Sequence, residues 1–442
     1  MDALGCYIFA GGFTQGLSKH FNVVAHLEDK EYPGTLTSRA NFPDIPIYLR
    51  SDGPWPVEQW RGIDLIFCNP PCAIFSPIGV STIRGGEAWK TDRRLNCWLR
   101  CYQLLDIEPK VLIIESVPQA LTRGREMIDA LAYDAIQRGY AVTYLEHDAG
   151  NHGVPQNRKR FFFIAHQYDL NLRMPNYGPV TTVGEALAEV KTPGWGFELR
   201  EDIGAVYPEM RKRANGKWEG LRVTWCRIHG IDVDARGVPG MPMFMLHRLS
   251  NEFPGGAFCG NYWLHPDIPR YLGINEYKVL CGYPEEYKME GPVGWGPTLL
   301  AQAVLPPVGE FIGASIKQTL ESGQKISSSS VKISNIRTSS GSIIDLTSKV
   351  VEQAYPRPEL LSEDTPQARS TRMKIGNVPV SHEWLDKRVT FLVEGNPRRP
   401  GSITYEIYKL YEAGGTIREF VTKGGRLIDV KADIERGHIR LE

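Results

Sequence analysis

An α/β fold built on a doubly wound, mostly parallel sheet is what this sequence predicts, and three observations predict it. The chain opens on a short apolar run, Gly5 to Ala10, that ends in Gly11 and Gly12 and passes into amphipathic sequence through Gly16, Leu17 and Phe21. That order reads as strand, tight turn and helix. Three further apolar runs follow, Val23 to Leu27, Asp64 to Cys68 and Val111 to Ile114, with helical periodicity in Arg94 to Leu105 and Arg125 to Arg138. Strands alternating with helices imply crossovers that cover both faces of a parallel sheet. Finally, Glu28, Cys72 and Glu115 fall where apolar runs stop, and such sheets bind ligands beyond the carboxyl ends of their strands.

The remaining elements follow in order. From about Gly184 to Asp267 the pattern breaks into short irregular segments rich in Gly, Pro, Trp and Arg, as expected of an inserted domain. Residues Ile326 to Ser342 are Ser-rich and poor in large apolar residues, which predicts a linker. Beyond Arg398, Ile403, Ile407, Leu410 and Tyr411 share one helical face, and Thr416 with Glu419 forms a capping-box pattern. A helix around Asp429 to Glu435 and a closing strand at HIRLE complete a small, mainly helical, winged accessory module. The expected divisions are 1–183 and 268–325 for a catalytic domain in two parts, 184–267 for the insertion, 326–394 for a linker and irregular region, and 395–442 for the module.

Composition excludes several classes. With 442 residues, 42% hydrophobic and 23% charged, the chain is ordinary globular protein with room for about three domains. Fifty-one basic residues balance fifty-one acidic ones, so any nucleic acid must be met by a local patch rather than a global field. No run approaches the 18 apolar residues of a membrane span, and the amino terminus has no leader-like pattern. A soluble cytoplasmic protein is expected. The cysteines at 6, 68, 72, 97, 101, 226, 259 and 281 include no C-x-x-C pair, so neither a zinc site nor a disulfide framework is expected.

Taken singly, the chemical residues leave alternatives open. The glycine turn suits a nucleotide-like cofactor, because glycines admit a ligand close to the backbone and an acidic residue ending the next strand, Glu28 or Asp29, can bind ribose hydroxyls. It also suits a plain strand-to-helix turn. Cys72, presented after two prolines, is either a nucleophile or a buried structural thiol. Glu115 is either a helix cap or an acid in the cleft.

Their conjunction is more specific. Phe9-Ala-Gly-Gly-Phe13, Asn69-Pro-Pro-Cys72 with Phe75-Ser76, Glu115-Ser-Val117 and Gln156-Asn-Arg-Lys-Arg160 occur in this order, the last followed by a Phe-Phe-Phe-Ile strand. The series resumes at His265-Pro-Asp267, Arg270, Glu276, Gly282-Tyr-Pro284 and Ala303-Val-Leu-Pro-Pro307. On these motifs the chain resembles the cytosine-C5 DNA methyltransferases. The resemblance covers about residues 5 to 165, resumes at His265, and leaves the last hundred residues unexplained.

The resemblance implies a Rossmann-like domain that uses S-adenosylmethionine, an inserted target-recognition domain, and base flipping on double-stranded DNA. It implies Cys72 as the nucleophile that attacks carbon 6 of cytosine, Glu115 as the acid at N3, Arg160 at the base O2 and Arg158 in support. Phe9, Ala10, Gly11, Gly12, Phe13, Glu28, Asp52, Asn69, Pro70, Gln302 and Ala303 would line the cofactor site. Ser76, Gln156, Trp225, Arg227 and Arg248 would contact DNA, within a recognition segment that also carries His229, His247 and Tyr262. The expected assembly is a monomer on DNA, without metal or membrane, in a bacterial or phage-infected cell, as part of restriction-modification or of a mobile element.

Several positions depart from the family pattern. The cofactor loop is two residues short, Asn69 replaces a glycine, Ala73 a glutamine and Ser116 an asparagine, and Gln302 stands where asparagine is usual. The altered pocket leaves room for a modified cofactor. The thiol, the carboxylate and both arginines remain, which favours an active enzyme over a catalytically inert DNA-binding protein. A methyltransferase acting on exocyclic amines, suggested by Asn-Pro-Pro alone, would leave the arginine motif without a role.

Overall fold

The computed structural model describes all residues except 77–87, 173–180, 197–200, 233–246, 258–262, 293, 328–330, 337–343, 346–358, 362–383, 385, 394, 398–407, 423–429, 431–432 and 435–436. The strands of its central sheet are β1 (Asp2–Cys6), β2 (Asn22–Glu28), β3 (Ile47–Leu49), β4 (Leu65–Cys68), β5 (Val111–Ser116) and β6 (Ala141–Asp148). After the short β7 (Gln156–Asn157) comes β8 (Lys159–His166). Short pairs β9 (His247–Arg248) with β11 (Trp263–Leu264), and β10 (Gly255–Gly256) with β7, lie outside that sheet. Two late strands, β12 (Val331–Ile336) and β13 (Ile344–Asp345), join its edge.

The nine strands run in the order β13-β12-β6-β8-β5-β4-β1-β2-β3. Strands β1 to β5 are mutually parallel, and β8 runs antiparallel between β5 and β6. The predicted doubly wound α/β class is therefore observed. Every residue of β4 and β5 is buried, as befits continuous apolar strands covered on both faces. One core cluster holds Phe13, Phe67, Phe162 and the helix Pro306–Ser322, and the other holds Ile66, Ile114, Phe163 and the helices Leu95–Gln103 and Arg125–Gln137.

Three expectations shift. The first strand ends at Cys6 rather than Ala10, because Tyr7 and Phe9 take the left-handed backbone at φ 55° and 49° and turn the chain out of the sheet. The Ser-rich stretch expected as linker contributes β12, which pairs with β6 over six residues. Its β-branched Val331, Ile333 and Ile336 suit a strand, and the edge of β6 offers backbone groups to pair. The apolar stretch Trp295–Ser322 is long enough to cross a bilayer, yet it is broken at Ala303–Leu305, and its most apolar 18-residue window is 78% buried within the fold.

The chain divides into two compact units, Met1–Leu221 with Met245–Ala368, and Arg222–Phe244 with Arg369–Glu442. This division does not follow the boundaries expected from the sequence. In the second unit, strands β14 (Val389–Phe391) and β15 (Ile439–Leu441) pair antiparallel, so the HIRLE strand is present. The capping box is also formed: Thr416 N–H donates to Glu419 at 2.8 Å and Glu419 N–H to Thr416 Oγ1 at 3.3 Å, opening the helix Ile417–Thr422. Tyr411 stacks on Phe420 at 4.0 Å over Val389, Ile417 and Ile439. The expected helical residues Ile403 and Ile407, and most of Asp429 to Glu435, lie outside the described residues.

The return segment closes the first unit against the glycine turn. A Cβ placed on Gly12 would come within 2.2 Å of both the Tyr283 hydroxyl and the Val304 carbonyl. Gly12→Ala is therefore expected to lower stability by about 1–3 kcal/mol, the usual cost of overpacking. Urea denaturation of the two proteins measures this, and equal midpoints would show that the contact yields freely.

Candidate active site

The parallel strands deliver their carboxyl ends to one rim of the sheet, and the chemical residues stand there. Strand β4 runs into Asn69, Pro70 and Pro71, and the rigid prolines present Cys72 at the start of a 3-10 turn, Cys72–Ile74. Ser76 N–H donates to the Cys72 carbonyl at 3.1 Å and tightens this turn. Strand β5 places Glu115 two strands from β1, and β8 places Arg160 near its own start.

Glu115 is the centre of the arrangement. Its carboxylate is 1% exposed, forms an ion pair with Arg160 Nε at 2.9 Å, and accepts a hydrogen bond from the Asn69 amide at 2.7 Å. Burial raises its pKa to about 7, although the nearby Arg160 and Arg158 pull the other way. Burial also raises the Cys72 thiol, with the Glu115 charge adding to it and the two guanidinium groups opposing it. Thiol, carboxyl and both arginines thus form one electrostatic group.

Arg158 and Asn69 tie this group to the return segment. Arg158 is fully buried and donates to the Ala303 carbonyl at 2.9 Å, and its own backbone N–H donates to Asp148 at 2.9 Å. Burial, reinforced by Arg160, lowers its pKa to about 10. Asn69 accepts from the Val304 N–H at 3.0 Å while its amide holds Glu115. Asn69, read from the sequence as a departure on the cofactor side, is here a two-ended brace for the carboxylate. Ala303, expected from the sequence on the cofactor side, here offers its carbonyl to Arg158; Asp148 was not singled out by sequence, since its residue type alone does not mark it.

The cofactor-side residues separate into two groups. Glu28, at the end of β2, is buried and accepts from Ile8 N–H at 2.8 Å and Tyr32 hydroxyl at 3.1 Å; burial raises its pKa to about 8. Half-buried Phe9 and left-handed Gly11, at φ 74°, form the turn beside it, with Phe9 N–H on the same Tyr32 hydroxyl at 3.2 Å. Asp52 is exposed in the turn after β3, whose Ser51 N–H meets the Asp29 carbonyl at 2.8 Å. Asp29 itself is engaged by Arg100 at 3.1 Å.

Other expected cofactor residues serve packing. Phe13 is 1% exposed and meets Phe67 and Phe162 edge-on at 5.1 and 6.3 Å, so its ring belongs to the core. Ala10 offers its carbonyl to Tyr287 at 2.6 Å. Pro70 is buried beneath the cysteine turn, and Gln302 is exposed at the end of the helix Trp295–Gln302.

Two expected DNA contacts make bonds within the protein. Gln156 is wholly buried, and its amide donates to the Leu280 carbonyl at 3.2 Å, so it braces the arginine loop from inside. The Arg248 guanidinium lies between Tyr207 at 4.2 Å and Trp218 at 3.4 Å and donates to the Pro266 carbonyl at 2.8 Å. Beside it opens a cleft of about 250 Å³ lined by Lys217, Trp218, His247, Phe253 and Trp263. Trp225 and Arg227 sit half-buried on the helix Leu221–Ile228, the indole packed on His229 at 4.5 Å; Tyr262 lies outside the described residues.

Two outcomes follow from these carboxyls and their brace. Glu28 holds its proton more tightly when folded, at about 8 against the ordinary 4.5, so stability is greatest below pH 4.5 as far as this group is concerned and falls as pH rises through about 8. Glu28→Gln should flatten that fall; thermal midpoints from pH 5 to 8.5 that decline equally in both proteins would refute it. Asn69→Ala should cost about 1–3 kcal/mol, since it strips a donor from a buried carboxylate and an acceptor from Val304. Chemical denaturation reads this directly, with Asn69→Asp as the partner variant that adds a second carboxylate beside Glu115 and should do worse.

Comparison with known proteins agrees with this geometry. Among solved structures, a putative DNA modification methyltransferase encoded within an E. coli prophage superposes with a TM-score of 0.52 at 18% identity, covering 73% of this chain and 99% of that one. A methyltransferase of Entamoeba histolytica also gives 0.52, at 12% identity, covering 72% and 98%. These likenesses establish the fold. In sequence, a Type II methyltransferase of Methanothermobacter thermautotrophicus, M.MthTI, is 28% identical over 344 residues, covering 73% of this chain and 98% of its own. A Type II methyltransferase of Bacillus paralicheniformis, M.Bpa9945I, is 25% identical over 319 residues, covering 58% and 71%. Residues 6–318 match the family profile itself, and the chain belongs to the C-5 cytosine-specific DNA methylase family.

Proposed function

We infer that this chain transfers a methyl group from S-adenosylmethionine to carbon 5 of a cytosine flipped out of double-stranded DNA. The observation that carries the reading is the buried Glu115 carboxyl held between Asn69 and Arg160, in the electrostatic reach of Cys72. A carboxyl with a pKa of about 7 can both hold and give up a proton under working conditions. Glu28, a carboxyl at the end of the second strand beside the turn of Phe9 and Gly11, is the residue type and place that suit the ribose hydroxyls of that cofactor.

When bound there, S-adenosylmethionine supplies an electrophilic methyl group. The protein's own residues make the cytosine nucleophilic. Cys72 adds as thiolate to carbon 6, while Glu115 gives its proton to N3, so the electron pair drawn from the ring double bond becomes available at carbon 5. Arg160 balances charge at the base O2. While Glu115 carries its proton it places no negative charge beside Cys72, so the repulsion that raises the thiol is absent when the thiolate forms. The carboxylate charge appears only as the proton passes to N3 and the thiolate charge is consumed in the new carbon–sulfur bond. After methyl transfer, loss of the carbon-5 proton to a base restores the double bond and expels the thiolate. Arg158, held by Ala303 and Asp148, keeps Arg160 and its loop in place.

The recognition segment would meet DNA through the cleft bearing Lys217, His247 and Arg248. The sequence divisions into catalytic, recognition and accessory parts belong to this proposal, as does a place in restriction-modification or on a mobile element, with the chain acting as a monomer.

The test is incubation with S-adenosylmethionine and unmodified duplex DNA, digestion to nucleosides and mass spectrometry. The wild type should yield 5-methyldeoxycytidine, Cys72→Ala none, and Glu115→Gln a rate lowered about 10²–10⁴-fold, the usual worth of a positioned acid. An N-methylated base would overturn the role of Cys72. DNA binding without any modified nucleoside would favour an inert binding protein.

A further inference from the structure

We propose that Cys6, Cys68 and Cys101 form a buried three-thiolate site for a thiophilic d10 metal ion, separate from the nucleophile Cys72. Cys6 ends β1 and Cys68 ends β4, and the two are direct register partners across the parallel pair. Cys101 reaches them from the helix Leu95–Gln103. Their three sulfur atoms lie within 4.8 Å of one another, and Cys101 Sγ is 3.9 Å from Cys6 Sγ.

That spacing is the spacing of a metal site. Metal–sulfur bonds of about 2.3 Å in a plane place the sulfurs about 4.0 Å apart, so an ion fits at the centre with shifts of a few tenths of an ångström. The three side chains are at most 1% exposed and sit within an apolar cluster that includes Leu4, Ile66 and Leu99.

The donor set also selects the ion. Three soft sulfurs without oxygen or nitrogen favour thiophilic metals over magnesium or calcium. Among the described residues no further histidine, cysteine or carboxylate joins the group, so the ion must accept three-fold sulfur coordination. Binding of a divalent ion replaces three S–H protons by three metal–sulfur bonds, releases three protons to solvent and leaves one net negative charge. No electron is transferred. The site would brace two strand ends at once, because the Cys6 carbonyl accepts the Asn69 N–H at 3.0 Å and Tyr7 begins the cofactor-side turn.

Cd²⁺ is the probe. The reduced full-length protein is titrated anaerobically, read by sulfur-to-cadmium charge-transfer absorbance, by proton release into a weakly buffered indicator, and by metal content after gel filtration. The titration is repeated on protein refolded with Cd²⁺ present, so that slow entry into a buried site does not mask binding. Wild type and Cys72→Ser should each retain one ion per chain and release three protons. Cys6→Ser, Cys68→Ser and Cys101→Ser should each lose the ion, with Cys101→Ala as the apolar variant that keeps the fold by circular dichroism. The same absorbance in all three substituted proteins, or a folded wild type that retains no ion by either route, would overturn the proposal.

Discussion

The site depends on one constraint, a carboxyl group taken out of water at the end of β5. A carboxylate buried without partners would cost several kcal/mol, and the structure meets that cost from two sides. Arg160 supplies charge, and Asn69 supplies a directed donor. The compensation is incomplete, which is the point. Fully paired, Glu115 would remain a low-pKa carboxylate and give up no proton near neutrality; unpaired, it would stay protonated. Its position between these limits, at about 7, lets it exchange a proton near neutrality, as the proposed role toward a ring nitrogen requires.

Much of the surrounding fold serves this balance. The return segment re-enters the first unit at Ala303 and Val304, where one backbone carbonyl fixes Arg158 and one backbone N–H fixes Asn69. Both partners of the site are therefore anchored to a stretch more than a hundred residues later in sequence. Tyr283 and Val304 press on Gly12, so the same segment sets the cofactor-side turn. Gln156, buried against Leu280, secures the loop that carries both arginines. A late segment thus holds two early ones.

The doubly wound sheet, and the placing of Cys72, Glu115, Arg158 and Arg160 at its ligand rim, were legible in the sequence because each is marked by residue type at a break in periodicity. Cys72, Glu115, Arg158 and Arg160 all converge as expected. What failed to show is what the chain makes by long-range contact. Phe13 reads as part of a cofactor motif, but its ring has two aromatic neighbours in the core and stays there. The stacking of Arg248 between two aromatic faces, with a bond to a carbonyl, has no local signal in the sequence. The strand β12 was hidden by serines, since composition cannot reveal an open sheet edge waiting to be paired. The three-cysteine cluster was invisible for the same reason: its members are spread over three elements and share no local spacing.

The measurement that bears most directly on this account is an infrared pH titration of the carboxyl groups, taken as the difference between wild type and Glu115→Gln. The account predicts a single protonated-carboxyl band present in the wild type alone, titrating near pH 7. A difference spectrum in which Glu115 titrates in the ordinary range near 4.5 would contradict it, because the residue would then be a structural anion with no proton to give.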